Sequence, residues 1–284
     1  MSLARSVLYL PASNARAIEK ARTLACDAVI LDLEDAVAPD AKAEARSAAI
    51  DALKAGGFAA RVGVRVNGLD TPWGAEDLAA LKATSPAFVV APKIESPDAV
   101  RAVAARLPAG VDLWIMVETP LSVLRLDQIA GAGAPLTALM LGVNDFGERM
   151  NLVLGPDREP LKPWLAVLVA AARGHGLLAI DGVVNATDDM GRLEAECRQG
   201  RAFGFDGKSL IHPAQIDAAN LAFSPSSEEV ERAREVVAAF AAADAQGKGA
   251  IRVGYRMVER LHLEAAHRLL ARHAASTSPQ AEPI

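Results

Sequence analysis

Residues 27–35, DAVILDLED, decide the fold. The stretch opens as an unbroken apolar run rich in strand-forming residues, the pattern of a strand buried on both faces, and it ends in Asp32, Glu34 and Asp35. A buried charge without a partner is either costly or neutralised, so acids at the end of a core strand need a counter-charge or a task. Similar runs recur along the chain: SVLYLP (6–11), RVGVRVN (61–67), AFVVAPKI (87–94), DLWIMVET (112–119), TALMLGVN (137–144), LLAIDGVV (177–184) and AFGFDGKSLI (202–211). Between them lie Ala-rich stretches with helical spacing, around 13–24, 39–54, 74–83, 96–107, 121–131, 160–174, 188–199 and 213–222. Pro39, Ser96-Pro97 and Pro120 supply helix start signals. Eight alternating strand and helix units predict an α/β fold, a (β/α)8 TIM barrel occupying residues 1–222. A doubly wound sheet also alternates, but no Gly-rich phosphate loop follows the first strand.

After residue 222 the pattern changes. SPSSEEVERAREVVAAFAAADAQGKG reads as one amphipathic helix with cap candidates between Ser224 and Ser227 and a stop at Gly247. A second helical stretch is expected from about 256 to 273, making residues 223–273 a C-terminal helical extension. The Ser/Pro/Gln-containing tail, 274–284, is expected to be disordered.

Composition narrows the function. The 284 residues carry a net charge of −5 and no Lys/Arg cluster interleaved with aromatics, so nucleic acid is not an expected partner. The apolar stretch in MSLARSVLYLP is too short for a signal-peptide core, and no run approaches a membrane span, so a cytoplasmic protein without a membrane partner is expected. Cys26 and Cys197 cannot build a disulfide framework and read as buried structural thiols.

In barrels of this kind the chemistry sits at the C-terminal ends of the strands. The polar residues read there are Glu34 and Asp35, Arg65 and Asn67, Lys93 and Glu95, Glu118, Asn144 and Asp145, Asp181, and Asp206 with Lys208, so charge of both signs is expected to converge on one mouth. No Cys/His pair has the spacing of a zinc site. Carboxylates on neighbouring strands are hard ligands suited to Mg2+, and Glu118 with Asp145, closing the fifth and sixth strands, is the natural pair. Arg65 suits a carboxylate or a developing enolate oxygen, or an ion pair inside the barrel with Glu34 or Asp35. Lys93 reads as a support or salt bridge ahead of a Schiff base, and His212 as a structural or ligand-lining imidazole. Asp32, short of the tip, reads as a maker of structural hydrogen bonds or an ion pair, with Glu34 and Asp35 behind the metal, holding its water or orienting Arg65.

The segments RSVLYLPASN, VILDLEDAVAPDAKAEAR, VRVNG, PKIES, VET, LGVNDFG and GFDGKSLIHPAQI, in this order, resemble the citrate lyase β-subunit-like group of the HpcH/HpaI aldolase family, which includes malyl-CoA and citramalyl-CoA lyases. The resemblance spans about residues 5–255. It implies a Mg2+-dependent barrel, homotrimeric or hexameric, that cleaves or forms a carbon–carbon bond beside an acyl thioester such as malyl-CoA, citramalyl-CoA or a citryl thioester. The family's metal ligands fall on Glu118 and Asp145 and its substrate-binding Arg on Arg65, with Glu118 also facing substrate. Tyr9, Lys20 and Asn144 are the expected cofactor-binding residues, and a family Arg near the first strand appears here as Asn14. Arg65, Glu34, Asp35 and Glu259 complete the expected catalytic set.

In that chemistry a 3-hydroxyacyl thioester bearing a carboxylate breaks to a 2-oxoacid and a thioester enolate, and an acid protonates the enolate carbon. In CoA-using relatives this resembles the job of an Asp in a C-terminal Met-Ile-Asp segment of a neighbouring subunit, and the matching stretch here is Met257-Val258-Glu259. The extra methylene of Glu259 departs from the pattern. An aldolase acting on a free 2-oxoacid or on a carrier-protein thioester with partner subunits, and a non-catalytic CoA-binding relative, are the alternatives.

Overall fold

The computed structural model describes residues 3–242 and 248–277. Among them, eight parallel strands close in sequence order into a barrel. They are β1 (Ser6–Pro11), β2 (Ala28–Asp32), β3 (Arg61–Arg65), β4 (Phe88–Ala91), β5 (Asp112–Val117), β6 (Leu136–Leu141), β7 (Leu178–Asp181) and β8 (Gly207–Leu210), with β1 pairing both β2 and β8. Intervening helices are α1 (Ala15–Ala21), α2 (Lys42–Ala55), α3 (Gly74–Leu81), α4 (Pro97–Ala104), α5 (Pro120–Leu124), α6 (Leu126–Ala130), α7 (Val143–Arg149), α8 (Lys162–Gly174), α9 (Met190–Phe203) and α10 (Ile216–Phe223). The (β/α)8 TIM barrel read from the apolar runs is therefore the fold.

Of the start signals, Ser96-Pro97 and Pro120 open α4 and α5 as expected, and Pro39 opens a short turn ahead of α2. Asn14, Ser96, Thr119 and Asp189 each accept a hydrogen bond from a backbone N–H in the first turn of α1, α4, α5 and α9. Phe88 and Trp114 stack with centroids 3.9 Å apart among the buried residues that also include Ala28, Ile30, Val90, Met116 and Met140. Gly63 makes room for them, since a Cβ there would lie 2.3 Å from the Phe88 ring.

Some boundaries differ from expectation. The stretch 121–131 is two helices, α5 and α6, because Arg125 leaves helical geometry with φ −114°. The eighth run starts later than read: residues 202–203 belong to α9, which ends at Gly204 with φ 98°. Asp206 therefore precedes β8 instead of lying in its C-terminal half.

The chain divides into two compact units, Ala4–Ala222 and a second that begins at Phe223. In the second unit α11 (Ser227–Ala241) starts at a capping box between Ser226 and Glu229 and packs on α12 (Arg260–Thr277). The expected second helix, 256–273, is corrected: β9 (Ala250–Val253) and β10 (Arg256–Glu259) form an antiparallel hairpin first. Gly254, with φ 58°, turns that hairpin, and helix resumes only at Arg260. Residues 274–277 continue α12, whereas 278–284 and the stop expected at Gly247 lie outside the described residues. No helix among the described residues is long and apolar enough to cross a membrane.

Candidate active site

Strand register brings Asp32 beside Arg65, the last residues of β2 and β3. Arg65 donates Nε–H to Asp32 Oδ1 at 2.7 Å and Nη2–H to Oδ2 at 2.6 Å, a bidentate pair that fixes the plane of the guanidinium. Its Nη1 lies 3.0 Å from Glu34 Oε2, and its Cζ sits 4.9 Å from the centre of the Tyr9 ring. Burial alone would lower the Arg65 pKa, but Asp32, Tyr9 and Glu34 outweigh it and hold the group charged. The principal partner of Arg65 is thus Asp32, and of the two acids expected as alternatives it is Glu34 that approaches it. Tyr9 donates its O–H to the Met140 sulfur at 2.9 Å, and burial raises its phenol above the ordinary value.

Glu118, just past β5, is fully buried. Its Oε1 accepts the Lys93 backbone N–H at 2.7 Å, while Oε2 has no hydrogen-bond partner among the described residues. Burial pushes the Glu118 carboxyl up to about 7; the charges of Glu34 and Asp145 add to this, and Arg65 with the Lys93 N–H opposes it. A buried acceptor left bare, with acids for neighbours, is a place where a cation removes an energetic cost. Asp145, in the first turn of α7, keeps 30% of its side chain exposed and, among the described residues, has a 4.0 Å approach from Arg149. Glu118, Asp145, Arg65, Asp32, Asp35, Asn144 and Tyr9 line one cavity of about 300 Å3, with Met116, Leu141 and Val143 among its apolar walls.

Two hard carboxylates facing an open cavity fit a cation such as Mg2+, which takes one or two protein carboxylates and fills its other positions with water and substrate. No group of three His, Cys, Asp or Glu residues able to hold a metal occurs among the described residues. A zinc-type cage is thus absent there, and the orphaned Glu118 oxygen meets the requirement of the harder ion.

Lys93 pairs with Glu34 Oε1 and lies 3.4 Å from Asp35 Oδ1. Burial would lower its pKa, but Glu34, Asp35 and Glu118 raise it instead, so the amine is held as an ammonium and is unsuited to Schiff-base chemistry. Burial raises the Glu34 carboxyl despite Arg65 and Lys93, whereas for Asp35 the charges of Lys93 and Arg65 outweigh burial and hold it low.

Other predicted site residues go elsewhere. Asn67 donates to Leu33 O at 2.9 Å and to Asp77 Oδ2 at 2.7 Å, so it locks a loop. Asp181 is buried in an ion cluster with Arg158 (2.9 Å) and Lys208 (3.0 Å), and Lys208 also reaches Glu196 of α9 at 3.3 Å. Those charges face the helix layer and not the mouth. Asp206 accepts the Ala179 N–H at 2.9 Å and pairs with Arg173 at the opposite end of the strands. Glu95 and Lys20 are not among the cavity's lining residues, and Lys20 is exposed in the last turn of α1. His212 caps the turn Pro213–Gln215 by accepting the Ala214 N–H at 3.2 Å. Glu259 belongs to the second unit, exposed at the end of β10, with its N–H donated to His262 Nδ1 at 3.0 Å. Cys26 and Cys197 are buried free thiols.

Two supporting residues escape a reading of strand ends. Lys42, in the first turn of α2, donates to Leu33 O at 2.8 Å and Glu34 O at 2.7 Å, tying down the end of the opening acidic stretch. Gly142 lies under Glu118, where a Cβ would stand 2.4 Å from Oε2. The signal for Lys42 was its place behind the acids; Gly142 carried none beyond its position between strand and helix.

A family model described as HpcH/HpaI aldolase/citrate lyase matches residues 5–213. A (3S)-malyl-CoA thioesterase of Cereibacter sphaeroides is 46% identical over 272 residues, covering 95% of each chain. An L-malyl-CoA/beta-methylmalyl-CoA lyase of the same species is 34% identical over 285 residues, covering 90% of each. Among solved structures, the CitE protein of Mycobacterium tuberculosis in complex with magnesium, acetoacetate and coenzyme A superposes with a TM-score of 0.78 at 32% identity, over 95% of this chain and 97% of that one.

Proposed function

The chain belongs to the HpcH/HpaI aldolase/citrate lyase family, and from that premise we propose that it cleaves a CoA thioester of a small 3-hydroxydicarboxylic acid, of the malyl-CoA type, with Mg2+ held by Glu118 and Asp145. One observation carries the reading: the orphaned Glu118 oxygen shares a single cavity with a guanidinium that Asp32 holds rigid. When bound, Mg2+ supplies a concentrated positive charge for the hydroxyl and carboxylate oxygens of the substrate.

The residues of the chain do the rest. Arg65 holds the thioester oxygen as negative charge builds on it, and because Asp32 already fixes the guanidinium, little reorganisation accompanies the reaction. Glu34, Lys93 and Lys42 keep the loop after β2 in place. Tyr9 and Asn144 wall the cavity near the cofactor, and Lys20 is assigned to the CoA chain outside it. The working assembly in this reading is a cytoplasmic homo-oligomer, trimer or hexamer, with Glu259 reaching a neighbouring copy's site.

Two bonds are candidates for cleavage. In hydrolysis, water adds to the thioester carbon, its oxygen forms the new C–O bond, and the thiolate leaves and takes a proton. In C–C cleavage, a 2-oxoacid departs and the thioester enolate must be protonated at carbon. We assign hydrolysis first, because the 46% identical relative is a thioesterase and because Glu259 stands where the enolate-protonating Asp is expected. C–C cleavage is the second reading, favoured by the 34% identical lyase.

The test follows thiol and 2-oxoacid release from malyl-CoA side by side, with Mg2+ and with EDTA. Expected is Mg2+-dependent thiol release without glyoxylate. Glyoxylate without thiol moves the assignment to C–C cleavage, turnover of neither product overturns the substrate class, and turnover indifferent to EDTA overturns the metal.

A further inference from the structure

We propose that Lys93 is a positioning residue that couples the Glu118 carboxylate to the Arg65 guanidinium, through its main-chain N–H at one end and its ammonium at the other. The inference rests on the Glu118 and Asp145 metal site proposed above.

Lys93 follows β4 with φ 53°, in the left-handed region that side chains other than glycine, asparagine and aspartate rarely adopt. In that conformation its N–H reaches Glu118 Oε1 at 2.7 Å. This occupies one carboxylate oxygen and leaves the other bare within a cavity-lining residue. Glycine would satisfy the backbone alone, so the presence of lysine calls for a use of the side chain. The ammonium supplies it by pairing with Glu34 Oε1 and approaching Asp35. The other Glu34 oxygen is 3.0 Å from Arg65 Nη1, and Arg65 is clasped by Asp32. One residue thus links both halves of the site. Without the ammonium, buried Glu34 has Arg65 as its remaining cationic partner in this network and competes with substrate for that guanidinium.

The two functions separate by substitution. Lys93→Gly and Lys93→Asn keep the left-handed backbone and its N–H but lose the ammonium. Lys93→Ala strains that backbone and Lys93→Val strains it further. Mn2+ binding, read by water-proton relaxation on the otherwise metal-free full-length protein, is expected to stay within about threefold of wild type for Gly and Asn and to weaken stepwise through Ala to at least tenfold for Val. Turnover of malyl-CoA at saturating Mg2+ is expected to fall at least tenfold in kcat for Gly and Asn despite their intact metal affinity, because an Arg65 interaction made in the transition state is lost. If Val does not fold, the Gly, Asn and Ala comparison still decides the matter. Equal Mn2+ affinity in all variants, equal loss in Gly and Ala, or wild-type kcat in Gly overturns the proposal while leaving the metal site standing. A wild-type protein that binds no Mn2+ overturns the metal site itself and the inference with it.

Discussion

Gly142→Ala isolates the placement of Glu118. Gly142 has φ −91°, so alanine brings no backbone strain and the effect is confined to the added methyl. That methyl would stand 2.4 Å from Glu118 Oε2, 2.6 Å from Glu118 Cβ and 3.0 Å from Met116 Cε, where ordinary contact begins at 3.4 Å. The free oxygen must therefore retreat by about 1 Å, and because the clash includes Cβ, turning the outer torsions does not relieve it. Any such retreat also pulls Oε1 from the Lys93 N–H. A misplacement of about 1 Å at a reacting centre costs on the order of 100-fold in rate, and overpacking of a buried site costs about 1–3 kcal/mol. Expected are a fall of about 100-fold in kcat/KM for malyl-CoA at saturating Mg2+, weakened Mn2+ binding, and a urea midpoint lowered by that modest amount with a cooperative transition retained. Wild-type kcat/KM together with wild-type Mn2+ affinity would refute the placement of a metal on the free Glu118 oxygen.

Three further outcomes are expected. Asp145→Ala abolishes Mg2+-dependent turnover but shifts stability by no more than about 0.5 kcal/mol, because its side chain is partly exposed and lightly paired; wild-type activity removes Asp145 from the site. Lys208→Met leaves Asp181 with Arg158 as its cation, shared with a Glu196 that keeps Arg192, and lowers unfolding free energy by about 3 kcal/mol or more; a urea titration showing under about 1 kcal/mol refutes the cluster's weight. Metal affinity depends on pH through Glu118, whose carboxyl ionises near 7 when no metal is bound, so below that pH the apparent Mn2+ dissociation constant rises about tenfold per unit. The sign for folding is opposite: between the ordinary 4.5 and about 7 the folded state binds a proton that the unfolded state does not, so Glu118 lowers metal-free stability as pH rises through that window. A Glu118→Gln variant with the same pH profile of Mn2+ binding counters that assignment.

Barrel closure was legible because buried parallel strands announce themselves as apolar runs, and the strand ends pointed to part of the mouth, Arg65, Glu118, Asn144 and Asp145. The second unit was less so. Residues 256–259 read as helix and 250–253 were not read as a strand, because both strands are short and mostly exposed, with Val258 the buried residue of β10, so no long alternation betrays them. Asp206 was misplaced by an apolar run whose first residues are the end of α9, a boundary set by the left-handed Gly204.

The deeper difficulty was the direction of side chains, and it explains why one list of strand-end charges became two unrelated sets. A strand buried on both faces shows no polar alternation, so its sequence does not say which residues point into the barrel, although parity still governs them. One core cluster takes Ala28 and Ile30 from β2, Trp114 and Met116 from β5, and Ile180 from β7, with the partly buried Leu178 packed against it. Counting by two from these members brings Asp32 and Glu118 to the same face, and the pairing of Asp32 with Arg65 carries the arginine there too. Asp181 is one residue out of step with Ile180, and Lys208, its register partner on β8, is out of step with the cavity-lining Ser209. Both consequently face the helices, where Arg158 and Glu196 complete a structural ion cluster. Asp32 is the instructive case. Among the acids of DAVILDLED it is the one in step with the interior within β2, and it clasps Arg65, while Glu34 and Asp35 act from the loop beyond.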